Sequence, residues 1–280
     1  MGGTSNAQSA TANVVTVSDT AQAVVTISLN RPPVNALTTA AYQEIRDAFA
    51  AVGTLRNVKV VLLRSELERV FCAGADLDEV KDIADGRAAT SDIARQRIAR
   101  EMIDKIYGLP QVTIAAVNGP AMGAGAALIS VCDIRIGTPQ ASVSLPEINV
   151  GRCGGARHWM RLLPQGIVRE MYFTGQPLLS EDALRLGVYN RLVPTPELAG
   201  AALDLAQAIA AKGPLALRLA KEALNGCEEL PLSAGYAYEQ MFTLRLGESE
   251  EARKTVHAAL EALRHRHARG NGAGTSGEGK

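Results

Sequence analysis

Val70-Phe71-Cys72-Ala73-Gly74-Ala75-Asp76-Leu77 follows an apolar, strand-like run at residues 58–63. Three consecutive small residues, 73–75, leave the main chain uncovered, so a ligand atom can approach the backbone amides closely. On its own, such a run also fits a tight bend or close packing. The segment therefore predicts a strand that leads into a tight turn, with ligand contact as one of two open interpretations.

A second run of small residues lies about fifty positions further on. Asn118-Gly119-Pro120-Ala121-Met122-Gly123-Ala124-Gly125-Ala126-Ala127 follows a strand-like run at 112–117 and opens a predicted helix. Two bare backbone turns, one of them at a helix N-terminus, can direct two N–H groups at one developing oxyanion. The pair predicts a site for a reaction in which an oxygen atom gains negative charge.

With Pro146-Glu147 downstream, the two turns resemble the crotonase (enoyl-CoA hydratase/isomerase) superfamily. The likeness extends from about residue 13 to 265, and its matching segments are Asn30-Arg31-Pro32-Pro33-Val34-Asn35-Ala36-Leu37, residues 71–77, 115–125, 132–135, 145–151 and 220–225. The resemblance implies an α/β fold, a spiral of ββα units with two nearly perpendicular sheets, followed by a helical C-terminal region. It also implies a homotrimer or a hexamer, a dimer of trimers, formed through that region.

The organisation along the chain agrees with an α/β protein. Strands alternate with helices up to Gly151, which predicts parallel strands joined by crossover helices. We expect a disordered leader at 1–12, a core at 13–195, a helical region at 196–267 and a disordered tail at 268–280. After Gly151 the predicted helices lie at about 154–162, 166–173, 180–186, 196–212, 214–226, 233–246 and 249–266.

Charge and cysteine usage exclude several classes of protein. The 29 basic and 29 acidic residues balance, so bulk attraction to nucleic acid or an anionic membrane is not indicated. The longest apolar stretch, 114–131, is interrupted by Asn118-Gly119-Pro120 and predicts a buried strand, turn and helix instead of a membrane span. Four cysteines without metal-like spacing, two of them (Cys72 and Cys132) in apolar segments, predict reduced, buried thiols in a cytoplasmic protein.

One predicted helix carries a group of basic residues. Ala94, Ile98, Met102 and Ile106 recur every four positions and define its apolar face. The basic residues between them are predicted to lie on a solvated outer face; they are Arg95, Arg97, Arg100 and Lys105.

The resemblance also implies roles for residues of the two turns. It places the oxyanion donors at the backbone amides of Ala75 and Ala124, and coenzyme A near Val34, Ala73 and Ala75. The remaining expected substrate contacts are Asp76, Leu77, Gly123, Ala124 and Ala127. No metal and no separate cofactor is expected, because the coenzyme A thioester is itself the substrate.

Glu147 is the predicted catalytic acid and base. It matches an acidic position of the family, where a carboxylate beside an apolar acyl chain has a raised pKa suited to proton transfer. Hydratases of the family carry a further glutamate 20 positions earlier, where this chain has Ala127. A single carboxylate fits the removal of a proton from one carbon and its return at another, which is a Δ3,Δ2-enoyl-CoA isomerisation.

Three alternatives remain open at this point. They are an enoyl-CoA hydratase (a lyase of lipid catabolism), a hydrolase of C–C bonds in a cyclic β-keto acyl-CoA, and an acyl-CoA-binding protein without catalysis. Segments 146–158 and 238–243 resemble the hydrolase subgroup. Within the first, Arg152, Arg157 and His158 form a cluster, and His158 is interpreted either as a packed helix residue or as a polar group at the acyl pocket.

Coenzyme binding departs from the family pattern. The family often has a lysine two residues after the Gly-Ala-Asp triplet and another near the C-terminus; Asp78 and Ala262 stand there. Either Lys81, Arg264 or Arg266 replaces these lysines, or the phosphates are held in a different way.

Overall fold

A computed structural model describes residues 14–21 and 23–272. The predicted leader, 1–12, lies outside the described residues, as does the part of the predicted tail from 273 onward. Within the described ranges, no helix has the length and apolar character needed to cross a membrane.

The strands form three sheets. Their bounds are β1 Val15–Ala21, β2 Val24–Leu29, β3 Ala36–Leu37, β4 Val60–Ser65, β5 Gly74–Ala75, β6 Val112–Val117, β7 Pro120–Met122, β8 Ile134–Gly137, β9 Ser142–Ser144, β10 Leu178–Leu179 and β11 Arg191–Leu192. The largest sheet has the order β1-β2-β4-β6-β8-β11, and the smaller two are β10-β9-β7 and β3-β5. From β2 to β11 the large sheet is parallel throughout, which confirms the predicted crossover topology.

The helices connect and cover these strands. Their bounds are α1 Thr39–Gly53, α2 Leu77–Ala84, α3 Asp92–Tyr107, α4 Ala124–Ser130, α5 Gln165–Thr174, α6 Ser180–Arg185, α7 Leu198–Ala210, α8 Pro214–Cys227, α9 Leu232–Gly247 and α10 Glu250–Gly272. Short 3-10 turns occupy Pro146–Val150, Trp159–Arg161 and Thr195–Glu197.

The two faces of the large sheet bury different sets of side chains. Alternate strand residues such as Ile27 and Leu63 enter the main core, which also contains Phe49, Phe71 and Trp159. The residues between them face α7, whose side chains at Leu198, Ala202, Ala206 and Ala210 pack on the sheet. Because that spacing of four keeps all of them on one helix face, α7 covers the sheet along its length.

The boundary between the two compact units differs from the expected one. The first unit extends to Ala211, whereas the sequence predicts the helical region from 196. Its physical cause is the burial of α7 on the sheet, which makes that helix part of the core. The second unit starts at Lys212 and comprises α8, α9 and α10.

The second unit is helical, as predicted. The Glu251 carboxylate accepts hydrogen bonds from the backbone N–H groups of Leu215 and Ala216 at the start of α8, at 3.2 and 3.0 Å. The rings of Tyr238 and Phe242 meet edge to face at 5.1 Å on α9. The last helix continues to Gly272, past its predicted end at 266 and into the segment from 268 that the sequence predicts to be a disordered tail.

Candidate active site

The first small-residue turn is held against the Asn30–Leu37 segment. Ala73 N–H donates to the carbonyl of Val34 at 3.0 Å, and β3 pairs in parallel with β5. The Asn35 side chain donates to the carbonyl of Phe71 at 2.9 Å. These bonds bring Val34, Ala73 and Ala75 close together.

Asp76 has a structural role at the end of this turn. Its side chain caps α2 by accepting from the N–H of Glu79 at 3.1 Å. Its other oxygen forms an ion pair with Arg31 at 2.8 Å. The carboxylate of Asp76 is therefore already engaged within the protein.

The second turn lies directly beside the first. Met122 N–H donates to the carbonyl of Cys72 at 2.9 Å, and Phe71 N–H donates to that of Pro120 at 3.0 Å. A Cβ atom on Gly74 would lie 3.3 Å from the amide nitrogen of Ala124. The structure thus places Ala75 and Ala124, which are 49 residues apart in sequence, on adjacent backbone segments.

Glu147 lies in the 3-10 turn Pro146–Val150, with its carboxyl group close to two glycines. A Cβ on Gly123 would stand 3.4 Å from Glu147 Oε1, and one on Gly155 would stand 3.0 Å from it. Oε2 is buried and has no hydrogen-bond partner among the described residues. Burial raises the pKa of Glu147, and a hydrogen bond from its own backbone N–H opposes that shift in part.

These residues surround one cavity of about 470 Å³. The predicted site residues in its lining are Ala73, Ala75, Leu77, Gly123, Ala124, Ala127 and Glu147. Val34 and Asp76 are not part of the lining. Ala127, at the position where the resemblance implies a glutamate in hydratases, is 8% exposed. Its small side chain faces the cavity.

Arg95 contradicts its predicted location on the solvated face of α3. It is 4% exposed and lines the cavity, together with Ala99, Met102 and Ile103 of the same helix. The sequence did contain a signal for this location. Arg95 precedes Ile98 by three positions and Met102 by seven, a spacing that places it on the same helix face as these apolar residues. Arg97 does face solvent, with its side chain 64% exposed.

Tyr42 is a cavity residue that the sequence did not indicate. It is 1% exposed, and its phenol oxygen accepts a hydrogen bond from Arg95. Burial raises the pKa of Tyr42 above its ordinary value, with Arg95 opposing the shift. Tyr42 therefore stays neutral and orients the guanidinium group.

The segment after Glu147 is a loop where the sequence predicts a helix at 154–162. Gly154 and Gly155 have φ of 137° and 83°, values outside the helical region, and only the short turn Trp159–Arg161 is regular. This loop brings Arg152, Arg157 and His158 to the cavity lining. Of the two interpretations given to His158, its place in the lining favours a polar group at the pocket.

The candidate phosphate-binding residues lie in different places. Lys81 is 68% exposed and pairs with Asp85 at 3.3 Å. Arg264 is an exposed residue of α10 in the second unit, and the Arg266 side chain lies outside the described residues. Asp78 belongs to α2 and Ala262 to α10.

The chain is similar to known proteins over most of its length. Residues 19–268 match a family model described as enoyl-CoA hydratase/isomerase. A (7aS)-7a-methyl-1,5-dioxo-2,3,5,6,7,7a-hexahydro-1H-indene-carboxyl-CoA hydrolase of Rhodococcus jostii is 34% identical over 82% of this chain and 89% of its own. A carnitinyl-CoA dehydratase of Salmonella enteritidis is 35% identical over 77% and 82%. The crystal structure of an enoyl-CoA hydratase from Bacillus anthracis superposes with a TM-score of 0.81 at 30% identity, over 89% of this chain and 96% of that one.

Proposed function

The chain belongs to the enoyl-CoA hydratase/isomerase family, and from that premise we propose that it shifts a double bond within an acyl-CoA thioester, with Glu147 as its single acid and base. One observation carries the proposal. Among the described residues that line the cavity, Glu147 is the only carboxylate, and Ala127 occupies the lining where a hydratase of the family has its second acid.

The proposed reaction needs one proton carrier. The Glu147 carboxylate takes a proton from the α-carbon of a 3-enoyl thioester, which leaves a dienolate with its negative charge on the thioester oxygen. The resulting carboxylic acid returns the proton at the γ-carbon, and the double bond moves to the 2-position. The step is redox-neutral and requires no cofactor besides the thioester itself.

The backbone amides of Ala75 and Ala124 are the proposed donors to that oxygen. Support comes from the hydrogen bond that joins the two turns, Met122 N–H to Cys72 O at 2.9 Å, because fixed donors need no reorganisation as charge develops. A donor of this kind typically contributes about 3 kcal/mol to the transition state. Coenzyme A is proposed to bind along Val34, Ala73 and Ala75.

The environment of Glu147 suits a group that must both accept and donate a proton. A carboxyl group at its ordinary pKa is a weak base and holds its proton poorly near neutral pH. Burial raises the pKa of Glu147, which moves it toward the range in which both steps proceed.

A second candidate is the hydrolysis of a C–C bond in a cyclic β-keto acyl-CoA. The observation that favours it is the presence of Arg152, Arg157 and His158 in the cavity lining, together with the name of the Rhodococcus relative. In that reaction water adds its hydroxyl to a ring ketone, and the ring C–C bond breaks. The electron pair passes to the α-carbon, which takes up a proton, and the former ketone becomes a carboxylate.

Assembly into a trimer or hexamer in the cytoplasm is part of the proposal. Apolar side chains of the second unit are open to solvent in the single chain; Leu232 is 91% exposed and Leu244 is 70% exposed. Burial of such side chains between subunits stabilises an oligomer. All four cysteines are free thiols, which fits a reducing compartment. Light scattering on the purified protein measures the assembly directly.

Turnover of matched substrates tests the reaction. We expect 3-hexenoyl-CoA to be converted to 2-hexenoyl-CoA, and crotonyl-CoA to be hydrated far more slowly. Crotonyl-CoA hydration at rates equal to the isomerisation would contradict single-base isomerisation and support a hydratase. Product from a cyclic β-keto acyl-CoA alone would support the hydrolase, and tight binding without any product would support a non-catalytic acyl-CoA-binding protein.

A further inference from the structure

The cavity lining carries an excess of positive charge. Its described residues include four arginines and a histidine, against the single carboxylate of Glu147; the basic residues are Arg95, Arg100, Arg152, Arg157 and His158. A site that binds only a neutral acyl chain gains nothing from such a lining, since desolvating a guanidinium group is costly. The charge therefore indicates an anionic feature of the ligand.

Two of these arginines share one carboxylate. Asp92 Oδ1 accepts from Nε and Nη2 of Arg95 at 3.2 and 2.9 Å, and its Oδ2 accepts from Arg152 Nη1 at 2.9 Å. Glu79 is a second carboxylate near this cluster, because it interacts electrostatically with Tyr42. Its Oε2 accepts two hydrogen bonds from Thr39, from the backbone N–H at 2.8 Å and from the hydroxyl at 3.1 Å. The Arg95–Asp92–Arg152 cluster thus holds two positive charges around one negative charge.

The depth of Arg95 limits what the anion can be. Its side chain is 5% exposed, while Asp92 and Arg152 are 36% and 31% exposed. A phosphate of coenzyme A that remained in solvent could not contact Arg95. An anion at the end of the acyl group could, because that group enters the cavity.

The arginines of the lining do not account for the pKa of Glu147. Burial and a bond from its own backbone N–H account for the pKa of Glu147, and no guanidinium group is among the causes. An arginine in contact with that carboxylate would lower its pKa. Among the described residues, the Glu147 carboxylate therefore has no guanidinium group as a charge partner, although the backbone N–H of Arg152 donates to the Glu147 carbonyl oxygen at 2.9 Å.

The cavity face of α3 has the length of a short acyl chain. Arg95, Ala99 and Met102 follow the i, i+4, i+7 pattern, so they lie along one side of the helix. At 1.5 Å per residue, Arg95 and Met102 are separated by about 10 Å along the helix axis. That face carries a guanidinium group at Arg95, in the first turn of the helix, and apolar side chains at Ala99 and Met102.

We propose that the acyl group of the substrate ends in a second carboxylate, which pairs with Arg95 and Arg152 while its methylene groups contact Ala99 and Met102. This inference rests on the proposed acyl-CoA function and adds the substrate class, a coenzyme A monothioester of a dicarboxylic acid. A positively charged acyl terminus is excluded by repulsion from the same groups.

Calorimetric titration of the wild-type protein tests the preference without requiring turnover. The ligands are saturated pairs of equal length, glutaryl- and valeryl-CoA, adipyl- and hexanoyl-CoA, and pimeloyl- and heptanoyl-CoA. At one length or more, we expect the carboxylate-terminated ligand to bind at least about tenfold more tightly, a difference of about 1.4 kcal/mol. Equal or weaker binding at every length would overturn the inference.

Two variants identify the groups responsible. Arg95→Met and Arg152→Met should each remove most of the preference and leave methyl-terminated ligands little changed. Arg97→Met, on the exposed side of the same helix, should keep it. If the variants weaken both ligands of a pair and free coenzyme A equally, the arginines bind phosphate and the inference is wrong. Arg152 is partly exposed, so its variant gives the answer even if Arg95→Met does not fold.

The outcome is distinguishable from failure of the proposed reaction. A wild-type protein that prefers dicarboxylic monothioesters but converts no 3-enoyl thioester, with or without a terminal carboxylate, would keep the inference and refute the isomerase. Turnover of 3-hexenoyl-CoA without any preference for carboxylate-terminated ligands would support the isomerase and refute the inference about the acyl terminus.

Discussion

Gly74 and Met122 approach so closely that a Cβ atom on Gly74 would lie 2.6 Å from the Met122 carbonyl oxygen. The contact joins the two small-residue turns, and the amide of Ala75 follows it directly in the chain. Any side chain at position 74 has to push the turns apart. The absence of a side chain there is thus a requirement of the site as well as of the fold.

Gly74→Ala tests this relationship. Gly74 also has φ of 90°, so an alanine adds backbone strain to the clash, and we expect a loss of about 2–4 kcal/mol in the free energy of unfolding. Turnover should fall at least about tenfold through displacement of the Ala75 amide.

Gly86→Ala is the matched control: its φ is 69°, but nothing lies within 4 Å of the added Cβ. It should cost about 1 kcal/mol in denaturant unfolding and leave turnover unchanged. Equal losses in both variants would show that the turns do not constrain each other.

Glu147→Gln tests the single acid and base. The amide keeps the shape of the side chain but cannot carry the proton, so kcat should fall about a thousandfold. The dissociation constant for hexanoyl-CoA should stay within about threefold, since the binding contacts are unchanged. Glu101→Gln, on the outer surface of α3, is the control and should retain full activity. Substantial activity in Glu147→Gln would assign the proton transfer to another group.

The pH dependence of the rate follows from the raised pKa of Glu147. The base must be ionised to take the first proton, so kcat/KM should rise with pH along a limb whose midpoint lies above 4.5. A profile that is flat from about pH 4 to pH 8 would contradict Glu147 as the base.

The same shift has a consequence for stability. Burial raises the pKa in the folded state, so the folded chain binds this proton more tightly than the unfolded chain does. Stability from this group is present below the unfolded pKa and is lost as the pH rises through the folded pKa. Glu147→Gln removes that loss, so it should unfold at a higher temperature than wild type at about pH 8 and show no such advantage below about pH 4. An advantage of equal size at both values would point to a cause other than ionisation.

Cysteine labelling reports on the cavity. Cys153 is exposed and belongs to the lining. Cys72 is buried, its Sγ lies 3.1 Å from the carbonyl oxygen of Asn35, and burial raises its pKa to about 12. Iodoacetamide at neutral pH should therefore modify Cys153 and spare Cys72, because only the thiolate reacts. Saturating hexanoyl-CoA should slow the modification of Cys153, with Cys153→Ser identifying the labelled site by mass spectrometry. Labelling of Cys72 in the folded protein would contradict its burial.

Much of the fold could be predicted from local patterns. Each small-residue turn follows an apolar run, and such pairs are typical of a parallel strand that ends at a ligand site. The sequence could not show what each apolar face packs against. The residues of α7 spaced by four predict a helix, but only the tertiary structure reveals that they cover the large sheet. The predicted helix at 154–162 was wrong because the left-handed conformations of Gly154 and Gly155 depend on the surrounding loop.

The candidate site was predicted less completely than the fold. Glu147 and Ala127 could be found from the family motifs, since these are local in sequence. Arg95 was predicted to face solvent because charged residues are usually exposed. Its burial depends on Tyr42 and on Asp92, and only Asp92 lies nearby in the chain. A buried cation stabilised by distant groups leaves almost no trace in a local pattern.

Ala127→Glu tests the argument from the missing acid. Ala127 lines the cavity with Glu147, so a glutamate there should place a second carboxylate in the same space. Two like charges at short range disfavour double ionisation, so one of them should titrate at a higher pH, and a water held between them could add to a 2-enoyl thioester. We expect crotonyl-CoA hydration to rise at least about tenfold, which corresponds to a barrier lower by about 1.4 kcal/mol.

Ala127→Gln, similar in size but without the acid, should show no gain. Circular dichroism must show that both variants fold, because a buried carboxylate can destabilise α4. If a folded Ala127→Glu protein gains nothing while Glu147→Gln still abolishes the native activity, position 127 does not face the reacting carbons, and the absence of the second acid does not explain the choice of reaction.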